Sequence, residues 1–327
     1  MVNKEEIKSL KDILADEDKR DLGKLGFRIG EILKCKGNFG KIYSGRYLNH
    51  ECVIKYKKIF DEHDQKLFRE IVMLKSLNHS HIIECFNIYM TKNKELLIFM
   101  EKADGGDLYD FILSRCKPSF NNNIARLILK HDYNPEYEGS RFYCQIADAL
   151  RYCHHSGIVH KDIKPTNILM DIHQTICKIY NFSLALYVYN KQYKTNKFEK
   201  AIVQGTCPYM PREFFFEQPP IIYDETKSDV WAMGVTLYQL YNGFKYPFPI
   251  NDEQLFDHNS EERVAVLKAT TELYKIIWYN DRLTRDAKSF VLKHFINNHL
   301  ERPSFEELLK DPFLEKAHSF LPVLKGQ

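Results

Sequence analysis

Residues able to do chemistry fall in three places. Gly37-Asn38-Phe39-Gly40 is a glycine-bounded turn between two strand-like runs. With no Cβ in the way, backbone N–H groups in such a turn approach phosphate oxygens closely, although the same turn also serves as a plain hairpin. Lys55 ends the apolar run Cys52-Val53-Ile54, and Glu70 sits inside FREIVMLKSL. Taken singly, the lysine reads as a snorkelling surface residue. Taken with Glu70 on an amphipathic helix, it has an inward-facing carboxylate to meet. The third place is Ile158–Asn167, IVHKDIKPTN, answered by Lys178–Ala185, KIYNFSLA.

The surrounding pattern says which elements carry these residues. From Phe27 to about Ile59, β-branched and aromatic residues alternate with polar ones, as in strands around a tight turn. Phe60 to Leu77 has the spacing of a helix, and HIIECFNIYM and ELLIFME predict two strands joined by Thr91–Lys94. Glu101–Asp107 is a loose connection with two glycines, β-rich before and helix-rich after. Asp107 begins the next helix and is placed to cap it. Residues 117–139 are rich in turn formers and predict a long loop. A helix is expected from Ser140 to Ser156, stopped by Gly157, and helices fill residues 214–327. Ahead of the first strand, Ile7, Leu10 and Leu14 predict a short amphipathic helix, which either packs on the body or engages a partner.

Composition narrows the class. The chain has 327 residues, 44% hydrophobic and 28% charged, with net charge +3. That is ordinary globular composition with enough length for a large core. Acids and bases are mixed, and no basic stripe marks a nucleic-acid face. Eight cysteines include no C-x-x-C pair and no zinc-like Cys/His quartet, so they read as small buried hydrophobes in a reducing compartment. The first twenty residues lack an apolar core for a signal peptide, and no run of 18 apolar residues occurs. The expectation is an intracellular protein with no membrane span and no nucleic-acid partner.

The third stretch resembles the H-R-D-L-x-x-x-N catalytic loop of eukaryotic protein kinases, written here His160-Lys161-Asp162-Ile163-Lys164-Pro165-Thr166-Asn167. Other motifs follow in family order over about residues 27–315: the turn at Gly37–Gly40 with Ile42 after it, Cys52-Val53-Ile54-Lys55 for V-A-I-K, Glu70, Gly205-Thr206 with Glu213, Ser228-Asp229-Val230-Trp231, and Glu301-Arg302-Pro303. The resemblance implies an α+β, bilobal protein kinase fold, with a β-rich N-lobe bearing one helix and a larger helical C-lobe. Its boundaries would be an N-terminal extension at 1–24, an N-lobe at 25–100, a hinge at 101–104, a C-lobe at 105–315 and a tail at 316–327.

It also implies roles. Lys55, held by Glu70, would clamp the α- and β-phosphates of ATP. Gly37, Gly40, Ile42, Val53, Glu101, Ala103, Asp107 and Leu169 complete the expected nucleotide-binding set, with Asp107 at the ribose. Asp162 would accept the proton of the attacking hydroxyl, Lys164 would neutralise the γ-phosphate, and its type is similar to serine/threonine kinases. Asn167 would bind Mg²⁺. His160, Phe182, Glu213, Asp229 and Arg302 would be structural, Glu213 pairing with Arg302. Partners would be ATP and proteins, in signalling.

Four positions depart from the family pattern. Asn181-Phe182-Ser183 stands for D-F-G, so Asn181 is a weakened metal ligand, because Mg²⁺ prefers carboxylate oxygens. By analogy with removing one preorganised electrostatic group, that loss is worth about 3 kcal/mol or more, roughly a hundredfold in rate. Ser183 for glycine stiffens the segment, and Cys35 replaces the first glycine of the turn. Lys161 for arginine keeps the charge without the bidentate grip on a phosphate. Two functions follow: a pseudokinase that binds ATP as a scaffold or regulator, and an active serine/threonine kinase. Residues 186–204 hold Tyr187, Tyr189, Tyr193 and Thr195 and read as a solvated loop, with phosphorylation of Thr195 as the alternative, supported by Lys161.

Overall fold

The computed structural model describes residues 15–35, 41–48, 50–58, 65–121, 124–188, 197–198, 201–216, 222–248 and 276–319. Gly37 and Gly40, the residues Ile7, Leu10 and Leu14, the loop residues Tyr189, Tyr193 and Thr195, and the last eight residues lie outside them. The chain forms two compact units, one of residues 1–79 with 83–103, the other of 80–82 with 104–327.

The first unit is a five-stranded antiparallel sheet. Its strands are β1 (Phe27–Cys35), β2 (Lys41–Tyr47), β3 (His50–Lys58), β4 (Cys85–Met90) and β5 (Glu95–Glu101), in the order β1-β2-β3-β5-β4. Alternation along β3 buries Cys52, Ile54 and Tyr56 on one face, with Leu22, Phe27, Tyr43, Leu97 and Phe99. Leu22 comes from helix α1 (Asp16–Lys24), which carries three acids in its first turn. Val53 and Lys55 take the opposite face of β3, and the register sets Ile42 across from Lys55. Helix α2 (Gln65–Ser76) follows, with Glu70, Met73, Leu74 and, just beyond it, Leu77 buried at helical spacing. The first strand of the 81–100 pair begins at Cys85, four residues later than its sequence suggests, because Ile82 bridges to Ile179 in the other unit's own fold.

The second unit is built on two helices. Helix α3 (Leu108–Ser114) is capped by Asp107, whose carboxylate accepts from the Asp110 amide at 2.8 Å. The expected loop at 117–139 is instead a hairpin, β6 (Cys116–Asn121) with β7 (Ile124–Leu129), and the next helix starts early. Helix α4 (Pro135–His155) begins five residues before the expected Ser140, because Asn134 caps it and Pro135 occupies its first turn. It ends as expected: Gly157 adopts φ +75°, the left-handed conformation that glycine tolerates past a helix C-terminus. Helix α5 (Thr226–Asn242) is buried on nearly every face and packs against α4. Among the described residues, helices α6 (Arg285–Leu292), α7 (Phe305–Leu308) and α8 (Pro312–Ser319) follow, and α8 runs across the expected tail boundary at 315.

Candidate active site

In the first unit, Lys55 Nζ lies 2.6 Å from Glu70 Oε1, and both side chains are largely buried. A strand and a helix 15 residues apart in sequence are joined by this charged hydrogen bond. Ile42 and Val53, both half-buried, share the sheet face of Lys55. Glu101 closes β5 with its carboxylate on the Glu84 amide at 3.2 Å, and Ala103 is half-buried just beyond.

In the second unit the loop after β8 (Ile158–Val159) is anchored from below by Asp229. Its carboxylate accepts from the amides of His160 at 2.9 Å and Lys161 at 2.8 Å, and from His154 Nε2 at 2.9 Å. Burial raises the Asp229 carboxyl, and the bonds and charges of His154 and His160 outweigh it, so the net shift is downward. Those bonds hold Lys161 at φ +69°, a conformation costly for a side chain with a Cβ. His160 is fully buried and burial lowers its pKa. Its Nε2 donates to the Tyr180 carbonyl at 3.0 Å and its Nδ1 accepts from the Asp162 amide at 3.2 Å, which fixes a neutral ring. Phe182 meets that ring edge-on at 4.8 Å.

Asn167 and Asn181 are brought together by a short hairpin. Strand β9 (Ile168–Met170) pairs with β10 (Cys177–Ile179), Ile168 opposite Ile179, so the residues flanking that end meet. The chain returns with the Tyr180 amide on the Asn167 carbonyl at 3.2 Å. Leu169 sits half-buried in β9 and bridges to Asp107. Asp162 then collects three donors: Thr206 Oγ1 at 2.5 Å, Asn167 Nδ2 at 2.8 Å and Lys164 Nζ at 2.9 Å. Lys164 also donates to Thr206 at 2.6 Å. A carboxylate held this way keeps a fixed orientation. The part played by Thr206 is invisible in sequence, since no spacing rule ties it to Asp162, 44 residues away.

Asn181 breaks the expected metal chemistry. Its Nδ2 donates to Asn167 Oδ1 at 3.1 Å, and Ser183 Oγ donates to its Oδ1 at 2.9 Å. Both amide oxygens that would face a cation therefore already accept hydrogen bonds, and neither carries charge. Among the described residues, no group of three or more His, Cys, Asp or Glu side chains gathers to hold a metal ion. This donor set does not fit Mg²⁺, which favours several anionic oxygens.

Lys161 also corrects an expectation. Its ammonium lies 2.5 Å from Glu225 Oε2 and donates to the Ile202 carbonyl at 3.0 Å, both side chains fully buried. The ring of Phe214 lies beneath it at 4.4 Å. Burial pushes the Lys161 ammonium down and the Glu225 carboxyl up, and their mutual attraction opposes both shifts. A cation so enclosed does not serve a phosphate on a loop; the carboxylate of Glu225 already fills that place. Glu213 and Arg302 do pair as expected, at 3.0 and 3.2 Å through the two terminal guanidinium nitrogens.

A five-stranded antiparallel sheet with two helices, a second helix-rich unit, and a loop that fixes an aspartate, a lysine and an asparagine together are the arrangement of the protein kinase class. The sequence pattern of the protein kinase domain matches residues 30–314, and the chain belongs to that family. Its fold is the α+β, bilobal protein kinase fold. The chain is 26% identical to an Aurora kinase of Dictyostelium discoideum over 299 residues, covering 89% of this chain and 67% of that one. It is 29% identical to the probable serine/threonine-protein kinase HSL1 of Saccharomyces cerevisiae, over 79% of this chain and 14% of that one. It is 35% identical to the human NUAK family SNF1-like kinase 1, over 64% of this chain and 28% of that one. The chain thus spans a small part of two of these relatives. No described helix is long and apolar enough to cross a membrane.

Proposed function

We propose that this chain is a serine/threonine-type pseudokinase, an ATP-binding scaffold or regulator of protein partners inside the cell with phosphotransfer at most very slow. The observation that carries the reading is Asn181, an amide bonded to Asn167 where the family places a metal-binding acid. In this reading Lys55 and Glu70 hold phosphate oxygens, with Gly37, Gly40, Ile42, Val53, Glu101, Ala103, Asp107 and Leu169 around the nucleotide. His160, Phe182, Asp229, Glu213 and Arg302 keep the scaffold in shape. The kinase domain would span 25–315, with lobes at 25–100 and 105–315.

One observation favours a second reading, an active serine/threonine kinase. Asp162, Lys164 and Thr206 remain mutually bonded and oriented for proton transfer from a hydroxyl. A radiolabel assay with γ-labelled ATP and mixed protein substrates separates the two. We expect negligible transfer by the full chain and a gain of about a hundredfold in Asn181→Asp. Robust wild-type transfer that disappears in Asp162→Asn would overturn the pseudokinase and establish the kinase.

A further inference from the structure

We propose that this chain binds its nucleotide without a divalent cation, and that Ser183 is the positioning residue that makes it so. The inference rests on the nucleotide-binding reading above and deepens it. The orientation of each amide follows from a chain of donors and acceptors. Asn167 Nδ2 donates to the Asp162 carbonyl at 2.7 Å and to its carboxylate at 2.8 Å, so Asn167 Oδ1 must be the end that faces Asn181. The contact there is 3.1 Å, so Asn181 must present its NH₂; two amide oxygens at that distance would repel. Asn181 Oδ1 is then left needing a donor, and the Ser183 hydroxyl supplies it at 2.9 Å. Both substitutions in the triplet act together: the amide replaces the acid, and the serine holds the amide the right way round.

Charge balance points the same way. Asp162 and Lys164 are paired at 2.9 Å, and Asn167, Asn181, Ser183 and Thr206 are neutral, so the network carries no net charge. An aspartate at 181, 5% exposed, would leave one uncompensated carboxylate beside Asn167 Oδ1 and would require a cation. With asparagine, an N–H···O bond joins the two side chains that would otherwise help to hold a cation. The second Nδ2 hydrogen has no partner among the described residues and is left to donate to an anionic phosphate oxygen.

Isothermal titration of the full chain with ATP, in EDTA and then in MgCl₂, tests this. We expect wild-type affinity to agree within about twofold between the two conditions. In Asn181→Asp, Mg²⁺ should tighten binding about tenfold or more. In Ser183→Gly, where the Asn181 oxygen is freed, Mg²⁺ should tighten it about threefold. A merely structural serine would shift melting temperature without changing the Mg²⁺ ratio. Wild-type binding that Mg²⁺ strengthens about tenfold would overturn the inference and leave the nucleotide-binding reading standing. Mg²⁺-indifferent binding by both variants would also overturn it. Failure to bind ATP in either condition would overturn the nucleotide-binding reading and the inference with it.

Discussion

His294 lies fully buried in the turn just past helix α6, with Tyr143 Oη 2.8 Å from Nε2 and the carbonyls of Phe290 and Val291 each 3.2 Å from Nδ1. Carbonyls only accept, so Nδ1 carries the proton and the Tyr143 hydroxyl donates to Nε2. Burial pushes the ring down to about 4 from its ordinary 6.5. The unfolded chain takes up a proton near pH 6.5 that the folded chain refuses until about pH 4. This contribution to stability is therefore complete above pH 6.5 and is lost as pH falls toward 4. The span corresponds to about 3 kcal/mol. Chemical unfolding at pH 7 and pH 4.5 should show this loss, and His294→Gln should flatten the pH profile; an unchanged profile in the variant would refute the assignment. Gly234 of helix α5 makes room for this ring, since a Cβ there would lie 2.4 Å from His294 Cβ. Gly234→Ala should cost about 1–3 kcal/mol through overpacking, read as a lowered melting temperature.

Helix α4 shows what element-level signals carry and what they miss. Asn134 Oδ1 accepts from the Tyr137 amide at 3.2 Å, and Glu136 and Glu138 sit in the positive first turn. Asn134→Ala should lower stability by about 1 kcal/mol, measurable by urea unfolding, whereas Asn134→Ser should be nearly neutral. The pair Asn134-Pro135 is a legible start signal, yet the polar run before Ser140 reads as loop. Apolar spacing alone misleads here because Pro135, Gly139 and Ser140 are buried without being strongly apolar. The hairpin β6–β7 was hidden for a related reason. Its first strand contains Pro118 and its register ends at Asn121, residue types that mark turns in isolation. Strand pairing with β7 overrides them.

At the scale of the whole second unit, the pair Glu213–Arg302 ties together segments 89 residues apart. Arg302 is buried, stacks over Trp231 at 4.9 Å and also donates to the carbonyls of Ile296 and Lys227. Removing the guanidinium leaves the buried Glu213 carboxylate without its counter-charge and takes a donor from the carbonyls of Ile296 and Lys227. Arg302→Leu should cost about 3–5 kcal/mol, a large part of a domain's net stability. Calorimetry should show a strongly lowered transition; an unchanged one would mean that water reaches Glu213. The double change Arg302→Leu with Glu213→Leu should recover part of the loss, since the orphaned charge goes with it.

The linear sequence by itself determined the family and several local facts. Motifs in fixed order name the fold, Asp107 and Gly157 punctuate helices, and the strand–helix order after Lys55 anticipates its bond to Glu70. Those are matters of residue type and near spacing, which a chain carries openly. Only the tertiary structure decided which way the Asn181 amide faces, that Lys161 answers Glu225 rather than a phosphate, and that Thr206 rests on Asp162. Each depends on hairpin register or on donors and acceptors from distant segments being matched in one buried place. Such matching has no signature along the chain, because it exists only once burial has removed water as the alternative partner.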